Sequence, residues 1–314
     1  MIGLLLLLSL PAVSVAAPVL GTSGTCPGTT TIAISSAAPD ANLFIVTGDS
    51  PGEFVVPSGG CAGTVLGVTG GVTLRATPRA DGDGAFIISP DLPDGICGDV
   101  IQVLDGSTCE VSNVGLLAEP IWIDGVRLGL VDPDTTVKLA DMIVTAKSNL
   151  GFFMQVPTAE AWGAIYVFTG ADYEATWGPI AVGNTVSVTG RYIEYFDFSE
   201  ISLVEGGPAS LLVTGDAELP PPMSLPADVL ATDPEPWESV LVQVVDVEVF
   251  EADLGFGEWS IVSASDGSGP VLVDDLIYAH MPMAGDYLPF VQGPLYHSFG
   301  AHKIVPRDAA DLGL

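Results

Sequence analysis

The 314-residue chain is long enough for two or three domains, and its 48% hydrophobic content is enough to build a core in each. With 8 basic residues against 39 acidic ones the formal net charge is −31, and the acidic residues are spread along the whole chain rather than gathered in a tail. Such a molecule repels polyanions over about a Debye length, ~8 Å at physiological ionic strength, which argues against duplex nucleic acid, a partner held largely by Lys and Arg on phosphates.

The chain opens on a targeting pattern. Residues 4–10 form an apolar core, Pro11 breaks it, and Ser14-Val15-Ala16 places small residues at the −3 and −1 positions of a cleavage site before Ala17. Residues 1–16 are therefore expected to be a signal peptide. The apolar core is much shorter than the ~20 residues of a membrane-spanning helix, so the mature chain is expected to have no transmembrane segment. It is expected to be secreted, in the extracellular space or at the cell surface.

Residues 17–118 alternate short Val/Ile/Thr-rich runs with turn clusters. Residues 30–35, 42–47, 53–56, 72–76, 85–89 and 100–104 read as strands, which predicts a small β-sandwich. All four cysteines, Cys26, Cys61, Cys97 and Cys109, fall in this part. An even number in an exported chain predicts two disulfides, and proximity in sequence favours Cys26–Cys61 with Cys97–Cys109. Asp81-Gly82-Asp83-Gly84 resembles the start of an acidic calcium loop, which makes Asp81 and Asp83 candidate cation ligands, although type I turn chemistry explains the same residues without an ion.

The remaining two hundred residues contain an internal repeat. Asn149-Leu150-Gly151-Phe152 recurs as Asp253-Leu254-Gly255-Phe256, and Val182-Gly183 answers to Ala284-Gly285. Gly190, Phe196 and Ile201 then fall in register with Gly293, Phe299 and Ile304 without a gap. Two copies of one fold are expected, at 119–218 and 219–314, with the Pro-rich run 218–222 as a stiff linker between them. Strands are expected at 137–146, 152–156, 164–168, 185–196 and 199–204 in the first copy. In the second they are expected at 240–251, 258–263, 270–274, 287–295 and 303–305. Five strands with a long, coiling fourth fit a small OB-type barrel. The predicted fold class is thus all-β: an N-terminal β-sandwich followed by two tandem OB-like five-stranded barrels.

The run "GFFMQVPT…GAIYVFTG…VGNTVSVTGRYIEYFDFSEISL" resembles the OB-fold modules that accompany secreted bacterial nucleases, with Asn184 where those modules usually carry Asp. "PWESVLVQVVDVEV…GFGEW…VDDLIY…SFGAHKIVPRDAADL" resembles the partner module that often follows. The resemblance covers about residues 119–314. It implies the barrel fold and a single-stranded nucleic-acid-binding accessory role as one reading. In those larger proteins a separate phosphoesterase domain carries the catalytic His, Asp and metal ligands, and no such domain is recognised in this sequence.

The residue inventory points the same way. No His precedes His280, so Gly48-Asp49-Ser50 has no upstream base and reads as a β-turn. His297 and His302 flank Phe299-Gly300, and as metal ligands they would look to Asp274 or Asp275 for a carboxylate. Asp246 and Glu248 read as a wet strand face. Alternation puts Phe152, Met154 and Val156 inside the first barrel and leaves Phe153 and Gln155 outside; with Tyr166 and Arg191 these are the candidate ligand-binding face. The expectation is a non-enzymatic binding or structural module for an extracellular polysaccharide or protein, with no cofactor other than calcium. Single-stranded nucleic acid is the alternative ligand.

Overall fold

Short runs of β-branched and aromatic residues separated by Gly- and Pro-rich turns have few ways to bury themselves except as antiparallel sheets. The structure, a computed structural model, describes residues 16–158 and 160–314 and is all-β in this sense. The expected signal peptide lies outside the described residues except for Ala16. No helix among the described residues is long and apolar enough to cross a membrane.

The first unit contains β1 (Val19–Gly24), β2 (Gly28–Ser35), β3 (Leu43–Gly48), β4 (Ser50–Val55), β5 (Val65–Thr69), β6 (Thr73–Ala76), β7 (Phe86–Ile88), β8 (Asp91–Leu92), β9 (Val100–Asp105) and β10 (Gly115–Leu116). β1, β2, β7 and β8 make one sheet, and β10-β9-β3-β6 make the second. The β4–β5 hairpin covers the outer face of that second sheet. Its central strands are therefore buried on both sides: Leu43, Ile45, Ile101 and Val103 face the first sheet, whereas Val46, Val100 and Leu104 pack with Leu66 and Val68 of the hairpin.

The disulfides are Cys26–Cys97 and Cys61–Cys109, which corrects the pairing expected from sequence proximity. The reason lies in the sheet order. Cys97 precedes β9 and Cys109 follows it, so six extended residues at ~3.3 Å each hold the two about 20 Å apart. Each cysteine instead bonds into the layer on its own side of the central sheet, Cys26 among the core of the two sheets and Cys61 in the cluster under the hairpin.

The second unit contains α1 (Ile123–Arg127), β11 (Thr136–Lys147), β12 (Gly151–Gln155), β13 (Ala164–Phe168), α2 (Tyr173–Trp177), β14 (Asn184–Tyr195), β15 (Phe198–Ser202) and β16 (Ser210–Asp216). β11 pairs with both β12 and β14, and β13 runs parallel to β15. The strand circuit β11-β12-β13-β15-β14-β11 is therefore closed. The third unit contains β17 (Met223–Ser224), α3 (Ala227–Thr232), β18 (Leu241–Gly255), β19 (Glu258–Ser263), β20 (Val271–Val273), β21 (Tyr287–Ser298) and β22 (Ala301–Ile304). It closes the same way, through β18-β19-β20-β22-β21-β18 with β20 parallel to β22. This first-to-fourth and third-to-fifth closure is the OB-type circuit, and it occurs twice.

The strand registers identify equivalent residues. Phe152, Val167 and Ile201 form one row across β12, β13 and β15, and Trp259, Val273 and Ile304 form the same row in the third unit. Gly190 pairs with Val137 as Gly293 pairs with Val242. Phe196 and Phe299 occupy the same turn, with φ of 52° and 51°. Gly183 and Gly285 donate their N–H groups to Val144 and Val249 at 2.9 Å in both cases. One expected match fails: Phe256 lies in the exposed turn before β19, and the counterpart of Phe152 is Trp259. The four-residue likeness between 149–152 and 253–256 is out of structural register by three positions.

The two barrels are docked on each other, and β1 of the sandwich packs against β16 of the first barrel. Lys138, buried in barrel one, reaches across to the Gly24 carbonyl at 2.8 Å and the Ala118 carbonyl at 3.2 Å. Asn113 bonds both Leu20 and the Ala209 carbonyl. Lys138 has no carboxylate beside it, and burial lowers its pKa to about 8.

Candidate functional site

Parity assigns the inner and outer faces of barrel one as the sequence predicts. Phe152 and Met154 join the barrel core, and Phe153 and Gln155 point away from it. The outer face is nonetheless dry: Phe153 is 0% exposed, Gln155 1% and Tyr166 6%. The second barrel covers them. Tyr296 of β21 stands between Phe153 (6.2 Å) and Phe198 (5.0 Å), and Tyr166 packs on Phe153 at 4.9 Å, each ring meeting its neighbour by an edge. The Gln155 side-chain oxygen accepts the Leu241 N–H at 2.9 Å. Three of the four expected ligand-binding residues are therefore interface residues, which corrects that expectation. An OB face rich in rings is as good a docking surface for a second barrel as for a ligand. Arg191, the fourth, is part-exposed and paired with Asp134 at 2.8 Å.

Two buried carboxylates stand at this joint. Glu200 on β15 lies opposite Tyr166 and is 5% exposed; burial first, and then the nearby Glu205, raise its pKa to about 7. Glu238, completely buried at the entry to β18, takes the Arg127 guanidinium on Oε1 at 2.5 Å and the Ser199 N–H on the same atom at 3.2 Å. Arg127 also reaches Glu235 Oε1 at 3.1 Å and lies over the Trp162 ring. His302 faces Glu235 and Glu238 rather than the Asp274 or Asp275 expected from sequence; Asp274 bonds Lys303 at 3.2 Å. Burial lowers the pKa of His297, which lies directly opposite His302 with ring centroids 4.5 Å apart. Arg127, Glu235 and Glu238 were not singled out by sequence reasoning. The one available signal was Arg127 itself, a rare cation beside an apolar run.

At the Asp81–Gly84 turn, Asp81 Oδ1 accepts the N–H groups of Asp83 and Ala85 at 2.9 Å each, so one of its oxygens serves the turn and Asp83 points to solvent. Elsewhere, a cleft of about 710 Å³ runs between the sandwich and barrel one. Val19, Ile34 and Leu212 form its apolar walls, with Trp177 from the end of α2, and Asn184 and Asp216, hydrogen-bonded to each other at 2.7 Å, add a polar rim.

All eight basic side chains are engaged within the protein. Arg75, Arg79, Arg127, Lys147, Arg191, Lys303 and Arg307 have carboxylate partners, and Lys138 has its two carbonyls. No protein-family model matches the chain, and no curated protein matches it.

Proposed function

We propose that this is an exported, non-catalytic binding or structural protein whose ligand is an extracellular polysaccharide, held in the cleft between the sandwich and barrel one. The cleft carries the reading: an indole ring beside an amide and a carboxylate is the chemistry that stacks on a sugar face and bonds its hydroxyls. The two disulfides support an oxidising compartment. A net charge of −31 favours a neutral or basic polymer over an anionic one. The single-stranded nucleic-acid reading loses support on two counts: the aromatic face it needs is covered by the second barrel, and each Lys and Arg already has a carboxylate or, for Lys138, two backbone carbonyls as partners.

The test is calorimetric titration of the purified protein with soluble neutral polysaccharides, alongside fluorescent single-stranded oligonucleotides at low salt, with and without Ca²⁺. Polysaccharide binding weakened at least tenfold by Trp177→Ala and by Asp216→Asn is the expected result. Oligonucleotide binding at low salt, or polysaccharide binding indifferent to both substitutions, overturns it.

A further inference from the structure

Glu235, Glu238 and His302 come from two separate segments of the second barrel, the turn that leads into β18 and the strand β22. Each offers one ligand atom, and the three atoms lie within 4.8 Å of one another. The two carboxylates divide their oxygens in a consistent way. Both Oε1 atoms take Arg127, at 2.5 and 3.1 Å. Both Oε2 atoms turn to His302 Nε2, at 3.5 Å from Glu238 and 3.6 Å from Glu235.

Those separations are the informative quantity. A protonated imidazole bonding a carboxylate closes to about 2.8 Å. Two ligands of one tetrahedral ion, each about 2.1 Å from it, stand about 3.4 Å apart. The two separations from His302 Nε2 match such coordination edges, and the ligand oxygens of the two carboxylates lie within 4.8 Å of each other. Independently, Glu238 Oε2 and His302 Nε2 are both buried polar atoms without a hydrogen-bond partner, and the Glu238 side chain is 0% exposed. A buried carboxylate oxygen left bare in this way costs free energy unless something cationic meets it.

We propose that Glu235 Oε2, Glu238 Oε2 and His302 Nε2 bind one zinc-class divalent transition ion. The donor set selects the metal. Two carboxylate oxygens and an imidazole suit Zn²⁺ and its first-row neighbours, whereas Ca²⁺ takes six to eight oxygens. The fourth position opens towards solvent beside Glu235, whose side chain is 50% exposed. Arg127 and the Ser199 N–H, both from barrel one, act as the outer shell that orients Glu238 through its other oxygen. The ion thereby ties the entry of β18 to β22 and stiffens the carboxylate that joins the two barrels. His297, opposite His302, stays outside the ligand triangle. The site is independent of the sugar cleft.

The test uses the full chain after chelator treatment, titrated with Co²⁺ and then Zn²⁺. One equivalent of Co²⁺ is expected to give the intense visible absorption of a four-coordinate ion, lost on adding Zn²⁺ and retained in excess Ca²⁺. His302→Gln keeps the Arg127–Glu238 pair, and Glu235→Gln alters a half-exposed side chain, so both variants are expected to fold, as circular dichroism checks. Each is expected to weaken Co²⁺ binding at least tenfold and to abolish the rise in thermal midpoint that Zn²⁺ gives the unsubstituted protein. A weak six-coordinate spectrum in the unsubstituted chain, displacement by Ca²⁺, or an undiminished spectrum in folded His302→Gln overturns the proposal.

Discussion

Replacing Glu200 by Gln tests the electrostatics of the barrel joint directly. The carboxyl is 5% exposed, and in the folded chain it holds its proton up to about pH 7, against 4.5 in its ordinary state. The folded state therefore binds the proton more tightly than the unfolded one. The contribution of Glu200 to stability is fully present below pH 4.5 and is lost as pH rises through 7. At about 1.4 kcal/mol for each pH unit of that interval, the loss amounts to about 3 kcal/mol once both states are ionised. Gln keeps the shape and the hydrogen-bonding end but never ionises. Its advantage over Glu is expected to grow from about 1 kcal/mol at pH 5.5 to about 3 kcal/mol at pH 8. Urea unfolding of both proteins at several pH values across this range measures the gap. Parallel stability curves for Glu200→Gln and the unsubstituted protein would refute the reasoning, because they would mean that the carboxyl titrates alike in both states.

Two further substitutions probe the architecture. Tyr296→Ala removes the ring wedged between Phe153 and Phe198 and is expected to cost about 2 kcal/mol, read as a lower thermal midpoint and faster proteolysis at the 218–222 connection. Replacing Cys26 and Cys97 together by Ala opens a closure of 71 residues and is expected to cost about 4 kcal/mol in denaturant unfolding. A pairing of Cys26 with Cys61 would instead show as a Cys26–Cys61 cross-linked peptide after non-reducing digestion, against the Cys26–Cys97 peptide expected here.

Strand positions in both barrels were legible because a strand's alternation is local: Phe152, Met154, Val186 and Val188 announce an inner face by spacing alone, and the barrel core contains all four. The recurrence of Gly190, Phe196 and Ile201 was legible for a related reason, since a tight turn and a close approach restrict residue type. A Cβ on Gly190 would come within 2.6 Å of Ile201 Cγ2, so the position admits only glycine without displacement of its neighbour. The candidate site was legible only in part. His302 was visible as a candidate ligand, but its carboxylate partners lie some 65 residues earlier in the chain, and no pattern links a turn to a strand that pairs elsewhere in the barrel.

The sequence by itself determined the all-β character, the five-strand pattern of each copy and the side of each strand that faces its own core. These follow from backbone periodicity and from which residues fit a pleated surface. Only the tertiary structure decided that the outer face bearing Phe153, Gln155 and Tyr166 meets a second barrel instead of a ligand, and which cysteine bonds which. Alternation distinguishes the two faces of a strand but carries no information about what covers the second one. Sheet order, which sets both outcomes, depends on contacts between segments far apart in the chain.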